Sequence, residues 1–313
     1  MYDLAIIGGG PAGVAAGVYA SRKRLKTVFI TKDFGGQSSV SEEIQNWIGT
    51  PKISGAELSA NLKKHLETYA SDIVLIKEGE IAEKIQKSGA AFVLRTNAAE
   101  YSARAILITA GSHRRKLDVP GATQFDNKGI TYCASCDGPL FADQDVAVIG
   151  GGNAAFDSAS ELLAYCKSVT LINRSEEFRA DPSSVKKVLS NPKMHALRNA
   201  VLTEINGLPA GKAGNKFVTG LKYLDKESNE TKELKVTGIF VEIGSVPATE
   251  FLKGIVDLNP YGMIIVDPKT QKTSCEGIWA AGDVTDGLYH QNNIAAGDAI
   301  KALEDIYLHL HTK

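Results

Sequence analysis

Cys133-Ala134-Ser135-Cys136, followed at once by Asp137 and Gly138, is the segment of this chain best equipped for chemistry. Two cysteines at this spacing cycle between a dithiol and a disulfide, because their sulfurs meet when the segment begins a helical turn. The adjacent Asp137 supplies a proton donor or acceptor. The same pair is also half of a zinc site, which needs two further ligands. Cys166 and Cys275 stand alone, with no Cys or His at partner spacing, so redox use is favoured and no metal is expected.

A second kind of chemistry is written in glycine. Gly8-Gly9-Gly10-Pro11-Ala12-Gly13 follows the apolar run Leu4–Ile7, and Gly150-Gly151-Gly152-Asn153-Ala154-Ala155 follows Val146–Ile149. Each turn leads into a helical stretch, to about Ser21 and about Cys166, and then into a second apolar run, Thr27–Ile30 and Ser168–Ile172. From Gly8 to Thr31 is 23 residues, and from Gly150 to Asn173 is also 23. The first glycine of such a turn allows the tight bend and the second lets the backbone approach a pyrophosphate. The third position must be small so that helix and strand pack closely, and Ala155 meets that need as Gly13 does. One such match is a weak signal; two in strand–turn–helix context predict two dinucleotide sites. Together with a dithiol they suggest a relay. A flavin takes a hydride from nicotinamide and passes the electron pair to a disulfide, so the first turn is expected to hold FAD and the second the nicotinamide cofactor. Gly282-Asp283, after the short run Ile278–Ala281, fits a carboxylate on a flavin ribityl hydroxyl.

These residues need a scaffold, and 313 residues suffice for two domains with a core in each. The composition, 43% hydrophobic and 23% charged, excludes a disordered chain. With 35 basic and 36 acidic residues the net charge is −1, so neither nucleic acid nor an anionic membrane is an expected partner. Four cysteines are too few for a disulfide scaffold and point to a reducing compartment. The uncharged stretch Leu4–Ser21 is broken by glycines and preceded by an acid, which argues against a signal peptide or a membrane span; a cytoplasmic, unprocessed chain is expected. Leu58–Tyr69 has helical spacing, 90–108 reads as two short strands, and Asn292–His309 reads as a helix. Phe217–Leu224 and Glu233–Ile243 read as antiparallel strands around the polar turn Lys226–Glu230. The predicted fold is α/β with two Rossmann-like dinucleotide-binding domains, the second inserted into the first. Residues 1–113 and 247–313 are assigned to FAD, and 114–246 to NAD(P)H and the dithiol.

The segments GGGPAG, ITKDFGGQ, NWIG, TAG, CASCDG, GGGNAA, NRSEEFRA and AAGDVTDGLYHQ stand in the order and approximate spacing of low-molecular-weight thioredoxin reductases, which the chain resembles over essentially all its length. Lys116–Pro139 is also similar to the flavoprotein part of alkyl hydroperoxide reductase. That protein carries an N-terminal thioredoxin-like domain not found in this sequence, which favours thioredoxin reductase. The resemblance implies that Gly8, Gly10 and Gly13 lie at the FAD pyrophosphate, and Gly36 and Gln37 near the flavin and its linker. It likewise places Asn46 close to the isoalloxazine, and Gly282, Asp283 and Gln291 at the ribityl chain and ring. The same resemblance implies that Gly150, Gly152 and Ala155 hold NADPH, that Cys136 faces the flavin, that Cys133 attacks the partner disulfide, and that Asp137 protonates the departing thiolate. It further implies a homodimer, a thioredoxin or thioredoxin-like dithiol protein as acceptor, and an NADPH domain that rotates against the FAD domain about the two crossings.

The sequence departs from the family in several places. Its 2′-phosphate motif is reduced to Arg174 and Arg179, opposed by Glu176 and Glu177, and no acid stands at Asn173 to claim a ribose hydroxyl. Asp157-Ser158 replaces a Glu-Glu pair, and His290 replaces an arginine beside Gln291. NADPH is therefore the expected donor, with NADH, ferredoxin or another donor, or service to a peroxiredoxin system, as the alternative. A non-catalytic dinucleotide-binding sensor is the rival from another class; it has no need of a dithiol followed by an acid.

Overall fold

The apolar run after Met1 forms β1 (Tyr2–Ile7), whose side chains enter two cores in turn, Leu4 and Ile6 one, Ala5 and Ile7 the other. A strand buried on both faces belongs at the centre of a sheet, and β1 lies there. Residues 1–41, 43–208 and 217–312 are described in this computed structural model. They form two compact units, Met1–His113 with Val246–Lys313, and Arg114–Ser245.

In the first unit, β1 leads through α1 (Pro11–Arg22) to β2 (Thr27–Thr31), and α2 (Gly55–Ala70) leads to β3 (Val74–Glu78). The strands β4 (Ala82–Ser88), β5 (Ala91–Thr96) and β6 (Glu100–Ile108) then run antiparallel to one another. The last of them returns parallel to β1, giving the order β3-β2-β1-β6-β5-β4. Helix α1 begins with Pro11, whose fixed φ suits a first turn. Its small residues allow close packing: a side chain at Gly17 would meet Leu66 Cδ1 at 2.8 Å. Helix α2 is capped by Ser54, whose hydroxyl accepts from the Glu57 amide at 3.1 Å, and Leu58, Leu62 and Leu66 line its buried face.

The chain leaves this unit along β7 (Ser112–Arg114). The second unit then runs β8 (Ile130–Thr131), α3 (Ala134–Asp137), β9 (Asp145–Ile149), α4 (Asn153–Leu162) and β10 (Ser168–Ile172). It continues with α5 (Pro182–Leu189), β11 (Met194–Leu197), β12 (Ala200–Leu208), β13 (Phe217–Asp225), β14 (Glu230–Leu234) and β15 (Gly238–Val241). Five strands make a parallel sheet in the order β11-β10-β9-β15-β8, and β12-β13-β14 form a separate antiparallel sheet. The expected single strand 233–243 is two. Residues 230–234, partly exposed, pair with β13, whereas 238–241 are buried throughout and join the parallel sheet beside β9. Gly238 makes that insertion fit, since a Cβ there would stand 2.6 Å from the Phe141 ring. The chain returns along β16 (Ser245–Pro247), which pairs with β7, and the first unit closes with β17 (Ile278–Ala280) on β6 and α6 (Asn292–Thr312). No helix among the described residues is long and apolar enough to cross a membrane.

Candidate active site

Both glycine turns are built alike. Gly8 (φ +121°) and Gly150 (φ +149°) hold a backbone that side chains rarely adopt, and a Cβ on either would meet a carbonyl oxygen, that of Thr109 at 2.2 Å and that of Glu242 at 2.3 Å. A Cβ on Gly13 would stand 1.8 Å from the Gly8 carbonyl oxygen, while at the equivalent place Ala155 is accommodated fully buried. Gly10 and Gly152 are the helix caps, and beyond their own chain neighbours no atom of the described residues lies within 4 Å of where their Cβ would be. Neither α1 nor α4 has a side-chain cap or an acid in its first turn. An open glycine under unpaired helix amides is a cradle for a pyrophosphate, so the residues present fit FAD at the first turn and a nicotinamide dinucleotide at the second.

Around the first turn, Gly36 approaches Gly10, its Cβ position 3.5 Å from the Gly10 Cα, and Gly282 (φ +79°) seats between Ala12 and Ala295. Asp283 follows Gly282 directly. Asn46 Nδ2 donates to Gln291 Oε1 at 3.1 Å, and Asn293 Nδ2 donates to the Asn46 carbonyl at 2.7 Å. Gln37 Nε2 donates to Ser112 Oγ at 3.4 Å. His290 Nε2, beside Gln291, is buried and lacks a hydrogen-bond partner among the described residues. Thr109, which stands in the TAG segment but had no role assigned from sequence, supports the turn: its hydroxyl donates to the carbonyls of Ile7 (2.9 Å) and Gly8 (3.2 Å).

Cys133 and Cys136 are joined in a disulfide, with their Cα atoms 5.3 Å apart. Cys133 caps α3, its sulfur accepting from the Cys136 amide at 3.1 Å, and Cys136 is the more exposed of the two. Gly138 is required by the close approach of Tyr165, whose hydroxyl would lie 2.1 Å from a Cβ. Ser135 ties α3 to α4 by donating to Glu161 at 2.8 Å. Asp137 is half-buried and accepts from the hydroxyl of Thr131, a second residue missed in the sequence. Burial pushes its carboxyl above the usual range, opposed by that hydrogen bond, which favours the protonated form a general acid needs. Among the described residues no group of three or more His, Cys, Asp or Glu is placed to hold a metal.

The parallel sheet gathers these parts. At the carboxyl ends of adjacent strands stand the dithiol after β8, Glu242 after β15, Gly150 after β9 and Asn173 after β10. Asn173 is buried, and its amide donates to the carbonyls of Ser175 (2.7 Å) and Glu177 (2.9 Å). Arg179 N donates to the Gly151 carbonyl at 2.8 Å. The loop carrying the exposed Arg174 and Arg179 is thereby fixed against the second turn.

The model of the pyridine nucleotide-disulphide oxidoreductase family matches residues 2–299. An alkyl hydroperoxide reductase subunit of Pseudomonas putida is 39% identical over 309 residues, 99% of this chain and 58% of its own length. NADH dehydrogenase of Bacillus subtilis strain 168 is 37% identical over 301 residues, 96% of this chain and 57% of its own. The chain thus spans a little over half the length of these relatives. A solved structure, thioredoxin reductase from Streptococcus pyogenes MGAS5005, matches with a TM-score of 0.91 at 32% identity, over 100% of this chain and 99% of that one. The expected α/β fold with two dinucleotide-binding domains is the fold they share.

Proposed function

The chain belongs to the pyridine nucleotide-disulphide oxidoreductase family, flavoproteins that work with FAD and NAD(P)H, and from that premise we propose that it is a thioredoxin reductase. Electrons run from NADPH through FAD to Cys133/Cys136 and on to a thioredoxin or thioredoxin-like dithiol protein, in a homodimeric enzyme. The observation that carries this reading is the placement of a disulfide, with a partly buried acid beside it, on the same sheet edge as an open glycine turn.

In this reading Gly8, Gly10 and Gly13 with the α1 amides bind the FAD pyrophosphate; Gly36 and Gln37 line its linker; Asn46, Gly282, Asp283 and Gln291 orient the ribityl chain and ring. Gly150, Gly152 and Ala155 do the same for the nicotinamide dinucleotide, and Arg174 and Arg179 take a 2′-phosphate. Bound FAD supplies two-electron chemistry, accepting a hydride and passing the pair to a disulfide. Cys136 is the sulfur that meets the flavin. Once the pair is a dithiol, the Cys133 thiolate attacks the acceptor disulfide, a mixed disulfide forms, and Cys136 displaces the acceptor's sulfur to restore the Cys133–Cys136 bond. Asp137 delivers a proton to the departing thiolate.

Anaerobic titration of the purified flavoprotein tests the donor and the relay together. NADPH is expected to bleach the flavin, and Cys133→Ser to abolish disulfide reduction while leaving that bleaching intact. Full thioredoxin reduction by the variant, or a folded protein that is colourless and takes up no FAD, refutes the reading. A second reading, an NADH-fed reductase serving a peroxiredoxin system, is favoured by the names of the two relatives and by Glu176 and Glu177 beside the two arginines. Faster bleaching by NADH than by NADPH would select it. A dinucleotide-binding sensor would show no turnover with any disulfide.

A further inference from the structure

Thr109 and Glu242 occupy the same place in the two units. Each is the residue after a parallel strand that flanks the glycine-turn strand, β6 beside β1 and β15 beside β9, and each presents its carbonyl to the first glycine of the turn. Their side chains differ. The Thr109 hydroxyl turns back onto the carbonyls of Ile7 and Gly8, and the nearby helix contributes the fully buried Ala16. Glu242 instead places a carboxyl, only 6% exposed, beneath α4, where Ser158 Oγ donates to its Oε1 at 2.6 Å and Arg114 Nη1 stands 3.9 Å from its Oε2.

The position matters because β9 and β15 flank the switch point of this sheet: the chain goes one way from β9 to β10, and β15 and β8 lie on the other side. Ligands of open parallel sheets bind at the carboxyl ends of strands at such points. A nicotinamide dinucleotide brings a doubly charged pyrophosphate there. An ionised carboxyl in a poorly solvated place close by opposes that charge, and a neutral one does not.

Resting on the reading of the second glycine turn as the nicotinamide site, we propose that the charge on Glu242, adjusted by Ser158 and Arg114, sets how tightly that turn holds its dinucleotide. Neutral Glu242 admits the pyrophosphate and ionised Glu242 resists it. Burial, with Asp157 on α4, pushes the Glu242 carboxyl above its ordinary range; the Ser158 hydrogen bond and Arg114 pull it down. The β8 side brings Asp137, held by Thr131, Tyr132, whose hydroxyl donates to Asp126, and the two cysteines, which do not titrate while joined. Because the neutral form binds better, binding takes up a proton from solvent, and affinity falls as pH rises through the titration of Glu242. Glu242 acts as a positioning residue and exchanges no electron.

The test is calorimetric binding of NAD⁺ and NADP⁺ to the oxidised, FAD-loaded protein across about pH 5.5–8.5, with the wild type compared with Glu242→Gln. NAD⁺ lacks the 2′-phosphate, whose own titration is thereby removed. The wild type is expected to lose affinity towards alkaline pH. Glu242→Gln is expected to give a flat profile, binding on the order of tenfold tighter at the alkaline end. Ser158→Ala, which removes a donor to the ionised form, should move the wild-type profile to higher pH. Parallel profiles for the wild type and Glu242→Gln, or weaker binding by that variant at every pH, overturn the proposal. Should Glu242→Gln not fold, the wild type decides: affinity independent of pH, with no proton uptake on binding NAD⁺, overturns it equally. Absence of any binding by the wild type would overturn the assignment of the second turn as well, a result distinct from all of these.

Discussion

Gly10 and Gly13 stand three residues apart in the first glycine turn, and one methyl group added at each should separate ligand binding from folding. At Gly13 the new Cβ would lie 1.8 Å from the Gly8 carbonyl oxygen and 2.8 Å from Thr109 Oγ1, both held by the strands beneath. Restoring an ordinary contact requires the start of α1 to retreat by about 1.5 Å or more. Overpacking of this kind costs about 1–3 kcal/mol, and in a unit of this size each kcal/mol lowers Tm by about 2–4 °C. At Gly10 no atom of the described residues beyond its chain neighbours lies within 4 Å of the added carbon, and its φ of −75° suits alanine. Gly10→Ala should therefore leave the Tm of the apoprotein nearly unchanged. It should nevertheless weaken FAD, because the methyl stands where the pyrophosphate is proposed to approach the backbone; loss of one or two charge-assisted hydrogen bonds at about 1.5 kcal/mol each is about 10–100-fold in Kd. Flavin titration of the apoprotein by fluorescence quenching, alongside calorimetric unfolding, reads both effects. Gly13→Ala with wild-type Tm, or Gly10→Ala with wild-type FAD affinity, would show that the turn does not work as described.

Asp137→Asn should slow thioredoxin reduction by about 100-fold near neutral pH and leave flavin bleaching untouched. Since burial raises this carboxyl, the wild-type rate should decline as pH climbs through its titration, and the variant should lose that limb; an unaltered pH–rate profile would count against Asp137 as the acid. Arg179→Ala should raise the KM for NADPH by about tenfold, the worth of one charge-assisted contact, with little change for NADH. Equal effects on the two donors would mean that Arg179 does not read the 2′-phosphate.

Much of this architecture was legible because the signals are local. Unbroken apolar runs such as Leu4–Ile7 report two-sided burial, and a glycine that must bend or be approached leaves its mark in one position. Contacts made between distant strands left weaker marks. Thr109 and Glu242 become partners of the glycine turns only when β6 and β15 arrive beside β1 and β9, although each follows an apolar run in the same way. Residues 233–243 misled because β14 follows the obvious turn, while Gly238 to Val241 is claimed by a sheet whose other strands lie far away in sequence. The strands β3, β4, β11 and β12 were missed. Asn173 was read only for the acid it lacks, whereas its amide organises the loop that carries the arginines.

The pairing of β7 with β16 gives the gene, as well as the fold, a seam. Gly111 accepts from the Ala248 amide at 3.0 Å on one side of the crossing, and Gly244 accepts from the Arg115 amide at 3.1 Å on the other. Arg114–Ser245 therefore begins and ends at neighbouring points, so cutting it out leaves two stumps that a short peptide can splice. A chain arranged in this way is open to exchange of its central cassette by recombination at two sites, with the outer unit keeping its own sheet order throughout.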